Sequence, residues 1–274
     1  MTVSYPELKV LVRGGGEMAS GIVHRLHLCH MKVFITETTS PTTVRRTVAF
    51  AEAVYQGSQT IEGVRAVRVS SAEEACRIWD QGAIPLFVDP EARIRKALQP
   101  VVVVDAIMAK KSTGTDRSYA PVVIGVGPGF NAGVNVHAVV ESNRGHNLGR
   151  VLWQGPAEPD TGVPAPVSGY TDQRVLRVPR KGLFHALHEI GDTVNSGEVV
   201  ARVDGIPIEA QIKGVLRGLL KDGIQVEEGV KAGDIDPRGE KEYCYLISDK
   251  ARAIAGGVLE AILHSVKDLL LPSA

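Results

Sequence analysis

At 274 residues the chain is long enough for two domains, since a typical domain runs to about 100–200 residues. With 44% hydrophobic and 23% charged residues, the composition excludes a disordered chain and a fibrous repeat. Thirty-one basic side chains balance thirty-one acidic ones, which removes the long-range field that would draw the protein to nucleic acid or an anionic membrane.

Leu8–Val12 is a short apolar run that ends in Arg13 and three glycines, after which Met18, Ile22, Leu26 and Cys29 recur at helical spacing. That pattern predicts strand, loop, helix. Lys32–Thr36 reads as a second strand, and Ser40-Pro41 as an N-cap with proline at the first helical position, opening a helix through about Tyr55. Val64–Val69, Ile84–Val88 and Val101–Val104 follow as strands, alternating with helices over Ala72–Asp80 and Pro90–Leu98. Pro121–Val126 is a further strand, and Val134–Val140 and Arg150–Trp153 read as a hairpin or sheet extension. Near-continuous Val, Ile and Leu is what a parallel sheet with helices on both faces requires.

The stretch AEPDTGVPAP, residues 157–166, has the texture of a linker. Beyond it Ile190–Val203 and Lys221–Ile235 form a half-repeat of glycine-turned hairpins, similar to the barrel-sandwich hybrid of biotinyl and lipoyl domains. The stretch between the halves, Val203-Asp204-Gly205-Ile206-Pro207, has no lysine, so a carrier role is not expected. Ser248-Asp249 caps a C-terminal helix that can pack back on the first domain or make a homo-oligomer contact. The expected fold is α/β: a Rossmann-like parallel-sheet domain over 1–156, a small all-β barrel-sandwich-hybrid-like module over 157–240, and a C-terminal helix within 241–274.

Gly14, Gly16 and Ala19 occupy the three small-residue positions of GxGxxG/A, within Arg13-Gly14-Gly15-Gly16-Glu17-Met18-Ala19. Gly14 permits the tight turn, Gly16 lets a pyrophosphate approach the backbone, and Ala19 lets the helix sit close to the strand. The helix N-terminus offers free amides and a positive dipole end to phosphate. Glu37, about 20 residues on, ends the second strand where a ribose hydroxyl would bond it. Gly14, Gly15, Gly16, Glu17, Met18, Ala19 and Glu37 are therefore the candidate binding residues for a nucleotide or dinucleotide, with Arg45 and Arg46 placed to meet a ribose phosphate. Gly127 and Gly129, in a second glycine loop after an apolar strand, are candidates for the same ligand. Among acid–base groups, Asp105 at a strand end, Lys110 in the polar loop after it, and His137, which a strand would align with Glu141 and Asn143, are the catalytic candidates. No nucleophile–base pair stands out, so catalysis is left open, and no metal site is expected.

Cys29, Cys76 and Cys244 are odd in number and widely spaced, fitting neither a disulfide framework nor a zinc pattern. Together with an N-terminus lacking a signal peptide's basic start and apolar core, and with no run near the roughly 20 apolar residues of a span, this predicts a cytoplasmic protein with no membrane partner.

Several stretches together carry a family resemblance: RGGGEMASGIVHRLH (13–27), TVAFAEAVYQG (47–57), VVDAIMAKKSTGT (103–115), VIGVGPGFNAGVNVHAVVESNRGHNLGRV (123–151), AEPDTG (157–162), GVLRGLLKDGIQV (214–226), KAGDIDPR (231–238) and ISDKARAIAGGVLEAIL (247–263). In these the chain resembles the YqeB-type proteins of the selenium-dependent molybdenum hydroxylase system. The resemblance implies an accessory role in maturation, with the hydroxylase or its maturation factors as partners. A molybdenum-cofactor nucleotide then stands beside NAD(P) as the ligand to test. The alternatives are an NAD(P)-dependent oxidoreductase and a scaffold whose glycine loop stays empty.

Overall fold

The computed structural model describes residues 7–109, 111 and 113–270, with side chains to 267. The chain forms two compact units: unit 1 comprises 1–41, 50–160 and 247–274, and unit 2 comprises 42–49 and 161–246. Both are discontinuous in sequence, so the C-terminal helix counts with the first sheet and an early segment counts with the β module.

Unit 1 runs β1 (Lys9–Arg13), α1 (Glu17–Leu28), β2 (Lys32–Glu37), α2 (Ala53–Gln56), β3 (Ser58–Ile61), β4 (Val64–Val69), α3 (Ala72–Asp80), β5 (Ile84–Val88), α4 (Arg95–Leu98), β6 (Val102–Asp105), β7 (Val122–Val126), β8 (Asn131–Ala132), β9 (Ala138–Val140), β10 (Val151–Leu152) and β11 (Gly155–Pro156), and closes with α5 (Asp249–Leu270). Among the described residues its main sheet has nine strands in the order β10-β9-β7-β6-β1-β2-β5-β4-β3. β1 pairs in parallel with β2 on one side and β6 on the other, and the chain reverses its direction of travel across the sheet at β1.

This architecture corrects the expectation of a Rossmann-like parallel domain. The sheet is mixed: β3 is antiparallel to β4, and β10 to β9. Two predicted covering helices are also cut down to single turns. After Pro41 the chain leaves unit 1 altogether, and only a 3-10 turn (Phe50–Glu52) and the single turn α2 follow its return. After β5, Asp89 Oδ2 accepts the Ile94 amide at 2.8 Å and Ala92 takes a left-handed φ of 53°, so the segment from Pro90 turns in place and helix is confined to α4. A side chain with positive φ is not helical, and local turn bonding of this kind competes with helix. The long helices instead pack on each other, with α1 against α5 at a glycine: a Cβ at Gly21 would stand 2.8 Å from that of Ala251. The strand–α3 side buries Leu11, Phe34, Phe87, Val103 and Val123, with Phe34 edge-on to Trp79.

Unit 2 is antiparallel throughout its named strands. β12 (Val175–Arg177), β13 (Gly182–Ala186), β14 (Thr193–Val194), β15 (Val199–Val203), β16 (Ile206–Glu209), β17 (Gly214–Leu219), β18 (Gln225–Val226) and β19 (Lys231–Asp236) form two four-stranded sheets, β12-β19-β17-β14 and β16-β15-β13-β18. The half-repeat has a structural counterpart. β14–β15 passes from the first sheet to the second and β18–β19 passes back, each through a glycine with positive φ, Gly197 at 84° and Gly229 at 77°. The core between them holds Leu176, Phe184, Val200, Leu216, Leu219 and Ile235. Among the described residues of the whole chain, no helix is long and apolar enough to cross a membrane.

Candidate functional site

In a sheet of parallel strands the connections that leave the C-terminal strand ends share one edge, and that edge is widest open where the chain's direction of travel reverses. Here the edge lies between β1 and β6. Gly14 follows β1 with φ 93°, and a Cβ on it would come 3.2 Å from the Ala106 carbonyl oxygen of the loop after β6. Gly15 has no room either: its Cβ would lie 2.9 Å from the Ala51 nitrogen. The Gly15 carbonyl accepts from Ala51 N–H at 2.9 Å and from the Ser20 hydroxyl at 3.0 Å. Gly16 is the N-cap of α1 with no side chain capping it, so the first-turn amides are left for water or a ligand. Glu17 and Met18 are half-buried in that turn, and Ala19 is buried beneath it.

Glu37 meets this loop directly. Its Oε2 accepts the Gly15 amide at 2.7 Å and its Oε1 accepts the Thr38 amide at 2.7 Å. The carboxylate therefore shapes the glycine turn from the neighbouring strand, and the residue is half-exposed.

The loops after β6 and β7 close over the same edge. Asp105 is fully buried, and its Oδ2 accepts from Arg13 Nη1 at 3.2 Å, from the Thr113 hydroxyl at 2.6 Å and from the Thr115 hydroxyl at 2.5 Å. Its Oδ1 accepts the Ile107 amide at 3.2 Å, and Arg13 also donates to the Thr115 hydroxyl and, at 2.8 Å, to the Pro90 carbonyl. Asp105 thus ties both ends of the 106–115 loop to β1. Lys110, within that loop, lies outside the described residues. Gly127, with φ 75°, lies against the Ser142 hydroxyl and 3.5 Å, counted from an added Cβ, from the Met108 methyl. Gly129, with φ 100°, would place a Cβ 3.2 Å from the Lys111 backbone. The two glycine loops and the Asp105 loop are therefore brought together, in part by packing backbone on backbone.

His137 is not brought to them. Parallel pairing sets its neighbour Ala138 beside Ile124, and the His137 ring Nδ1 accepts the Val123 amide at 2.9 Å, near the start of β7 rather than its end. Burial first, and then the charge of Arg117, hold its pKa below the ordinary histidine value, so the ring is neutral with its proton on Nε2. Glu141, by contrast, follows β9 at the open edge. It is buried and accepts the Asn143 and Glu158 amides at 2.6 and 2.7 Å. Asn143 turns away to donate to Glu158 at 2.7 Å. Arg45 and Arg46 belong to unit 2, where they donate to the carbonyls of Tyr243 and Leu246 and of Leu219.

Two residues at the edge had no sequence signal of their own. Arg13 looks like a strand-end charge and Ser142 like a loop residue. Lys250, in the first turn of α5, looks like a solvated cation, yet it is half-buried. Burial and the charge of Arg144 lower its pKa from the ordinary lysine value, while Glu17, Asp160 and Glu141 pull it the other way.

No protein-family model matches the chain. Solved structures similar to it include the product-bound ectoine utilization protein EutE (DoeB) from Ruegeria pomeroyi, at 11% identity and a TM-score of 0.27 over 86% of each chain. They also include an aspartoacylase family protein from Mesorhizobium loti, at 12% identity and a TM-score of 0.25 over 78% of this chain and 59% of that one. TcdA (CsdL) aligns at 9% identity with a TM-score of 0.32, over 96% of this chain and 89% of that one. Likenesses at this level say nothing of activity. In sequence the chain is 48% identical over 254 residues to the uncharacterized protein YqeB of Escherichia coli (strain K12), an alignment that takes in 93% of this chain and 47% of that protein. The chain spans about half the length of that relative. The similarity to YqeB is over that shared stretch.

Proposed function

We propose that unit 1 binds a phosphate-bearing nucleotide or dinucleotide-like cofactor at the β1/β6 edge, and that the chain does so as an accessory protein of a molybdenum hydroxylase system. The observation that carries the binding is the N-terminus of α1. It is uncapped by any side chain, and it sits at the one place where the connections from β1 and β6 diverge. Four aligned first-turn amides with a positive dipole end are an anion receptor by their own physics. Glu37, two backbone amides already on its oxygens, is positioned to accept from a ribose hydroxyl beside it. The assignment to a molybdenum hydroxylase rests on the sequence resemblance alone, and a nucleotide-linked pterin cofactor carries the phosphate this edge suits.

Binding rather than turnover is the better reading of the site. Asp105 is consumed as a loop clamp and His137 stands at the other end of β7, so two of the three acid–base candidates are not poised at the α1 terminus. Calorimetry of the full chain against NAD, NADP, CTP, ATP and molybdenum cofactor tests the proposal. One or more is expected to bind, and Gly16→Val is expected to abolish that binding. Silence from all five, or an unchanged Kd in the variant, overturns it.

A further inference from the structure

A second opening lies further along the C-terminal strand edge, past Glu37. β5 follows β2 in the sheet with Val88 opposite Glu37, and the Glu37 carbonyl accepts the Asp89 amide at 2.9 Å. β4 stands beside β5 in parallel. Where β4 and β5 end, a groove of about 710 Å³ opens between the first turn of α3 and the turn before α4. That size falls within the range of about 300–1,000 Å³ typical of small-molecule sites. The groove lies one and a half strands from Glu37, about 7 Å at the usual strand spacing.

Its floor is apolar and its rim is acidic. Phe87, edge-on to Phe34 with ring centroids 6.3 Å apart, lines the floor. Val88 is 37% exposed there, an aliphatic side chain left to solvent at a strand end. Asp89 and Glu74 stand at the rim with Arg68, whose Nη1 is tied to the Val54 carbonyl of α2 at 2.6 Å. One oxygen of each carboxylate already serves its own wall. Asp89 Oδ2 accepts the Ile94 amide at 2.8 Å, and Glu74 Oε2 accepts the Ser70 amide at 2.7 Å and its hydroxyl at 2.9 Å. These bonds fix both side chains before any ligand arrives and leave the second oxygen of each to take a donor. The Ser71 hydroxyl also accepts the Glu74 amide at 3.2 Å, so α3 starts with a closed capping box and a carboxylate where α1 starts open.

We infer that this groove receives the amino-bearing heterocyclic base of the nucleotide whose phosphate lies at α1, with Asp89 accepting from the exocyclic amino group of the ring. This rests on the binding reading above and gives the ligand its direction along the edge and its class of base. Two carboxylates against one guanidinium make the groove the wrong end for a phosphate and the right one for N–H donors. The apolar floor suits the face of a ring. The sugar between the two ends then crosses the end of β2, where Glu37 meets it. A base with a carbonyl oxygen in place of the amino group sets its lone pairs against a carboxylate, so cytosine or adenine is accepted and uracil or hypoxanthine is refused.

Calorimetry on the full chain compares CTP with UTP and ATP with ITP, beside cytidine, adenosine and inorganic pyrophosphate. An amino-bearing nucleotide is expected to bind about tenfold or more tightly than its oxo counterpart, the worth of one hydrogen bond to a charged group. Asp89→Asn keeps an oxygen for the Ile94 amide and offers the groove an N–H instead, so it is expected to abolish or reverse that preference. Val88→Trp fills the groove from a position that is already exposed. It is expected to weaken nucleotide binding about tenfold or more, with the pyrophosphate Kd and the Tm unchanged. If a nucleotide binds without amino preference, or binds Val88→Trp as well as the native chain, the groove assignment falls and the phosphate site stands. Pyrophosphate bound with no nucleotide also ends the groove assignment. If a nucleoside binds and Val88→Trp abolishes it, while pyrophosphate does not bind and Gly16→Val changes nothing, the groove stands and the phosphate reading falls. Binding by none of them overturns both.

Discussion

A buried amide is costly without a partner, and Gly15 shows how one side chain decides a loop. Its N–H is met by Glu37 from the adjacent strand. Glu37→Ala takes that acceptor away, at a cost of up to about 1–3 kcal/mol. Glu37→Gln keeps one acceptor oxygen and turns its amide group toward the Thr38 N–H, so it should fall between the two. Urea denaturation of the three proteins is expected to give that order, and equal midpoints for Ala and Glu would show that the contact is not made. The glycine turn and Glu37 were legible in the sequence because strand, turn and helix follow one another locally there. The half-burial of Lys250 was not, since nothing in Ser-Asp-Lys-Ala distinguishes a cation in water from one partly covered. His137 was misjudged for a related reason. Its spacing to Glu141 and Asn143 assumes one continuous strand, but β9 ends at Val140 and the chain turns.

At the scale of elements, α5 carries two consecutive glycines with opposite meanings. A Cβ at Gly257 would overlap the Gly149 carbonyl and stand 2.9 Å from Val140, whereas one at Gly256 would meet only Arg25 Nη1 at 3.6 Å. Helix propensity alone favours alanine over glycine by about 1 kcal/mol at both. Gly256→Ala should therefore raise stability by up to about that amount, and Gly257→Ala should lower it by about 1–3 kcal/mol through overpacking. Thermal melts that moved in the same direction would refute the close approach of α5 to the 149 loop. In unit 2, the element to examine is β19. Asp234 is fully buried and takes Arg174 at 2.5 Å and Arg217 at 2.6 Å. Burial raises its pKa, but the charges of Lys231, Arg217 and Arg174 together outweigh that and leave it lowered. A depressed carboxylate pKa contributes stability that is present above the unfolded value, about 3.9, and is lost as pH falls through the folded value. Asp234 should therefore add no pH dependence to stability between pH 7 and about 5, and acid unfolding of unit 2 should begin below about pH 4. Asp234→Asn should cost about 3–5 kcal/mol at neutral pH, because it leaves buried Arg174 without its counter-charge and removes one of the two that Arg217 has. A circular-dichroism acid titration and a urea melt at pH 7 check the two halves of that statement.

For the molecule as a whole, the chain's path carries more information than its local patterns. Residues 42–49 were expected to be helical from Ser40-Pro41, and local propensity does favour that. Tertiary hydrogen bonds decide otherwise. Leu219 N–H donates to the Val44 carbonyl at 2.9 Å, Arg46 Nε donates to the Leu219 carbonyl at 2.8 Å, and Thr47 donates to the Cys244 carbonyl at 2.5 Å. Val44 also covers Gly218, where a Cβ would come within 2.7 Å of its methyl, and it packs on the unit 2 core. The segment is thus an integral part of unit 2 although more than a hundred residues separate it from the rest. A fragment of residues 161–246 made alone should then be incomplete. It leaves the Leu219 amide and the Leu219, Tyr243, Cys244 and Leu246 carbonyls without their partners. At about 0.5–1.5 kcal/mol net for each bond, against the 5–15 kcal/mol by which domains are stable, the deficit is large enough to unfold it partly. The fragment is expected to show weak hydrogen-exchange protection along β17. Addition of a synthetic peptide spanning residues 40–50 should restore protection at Leu219, and a peptide carrying Arg46→Ala should restore less. Full protection of β17 in the bare fragment would show that the module folds without its distant segment.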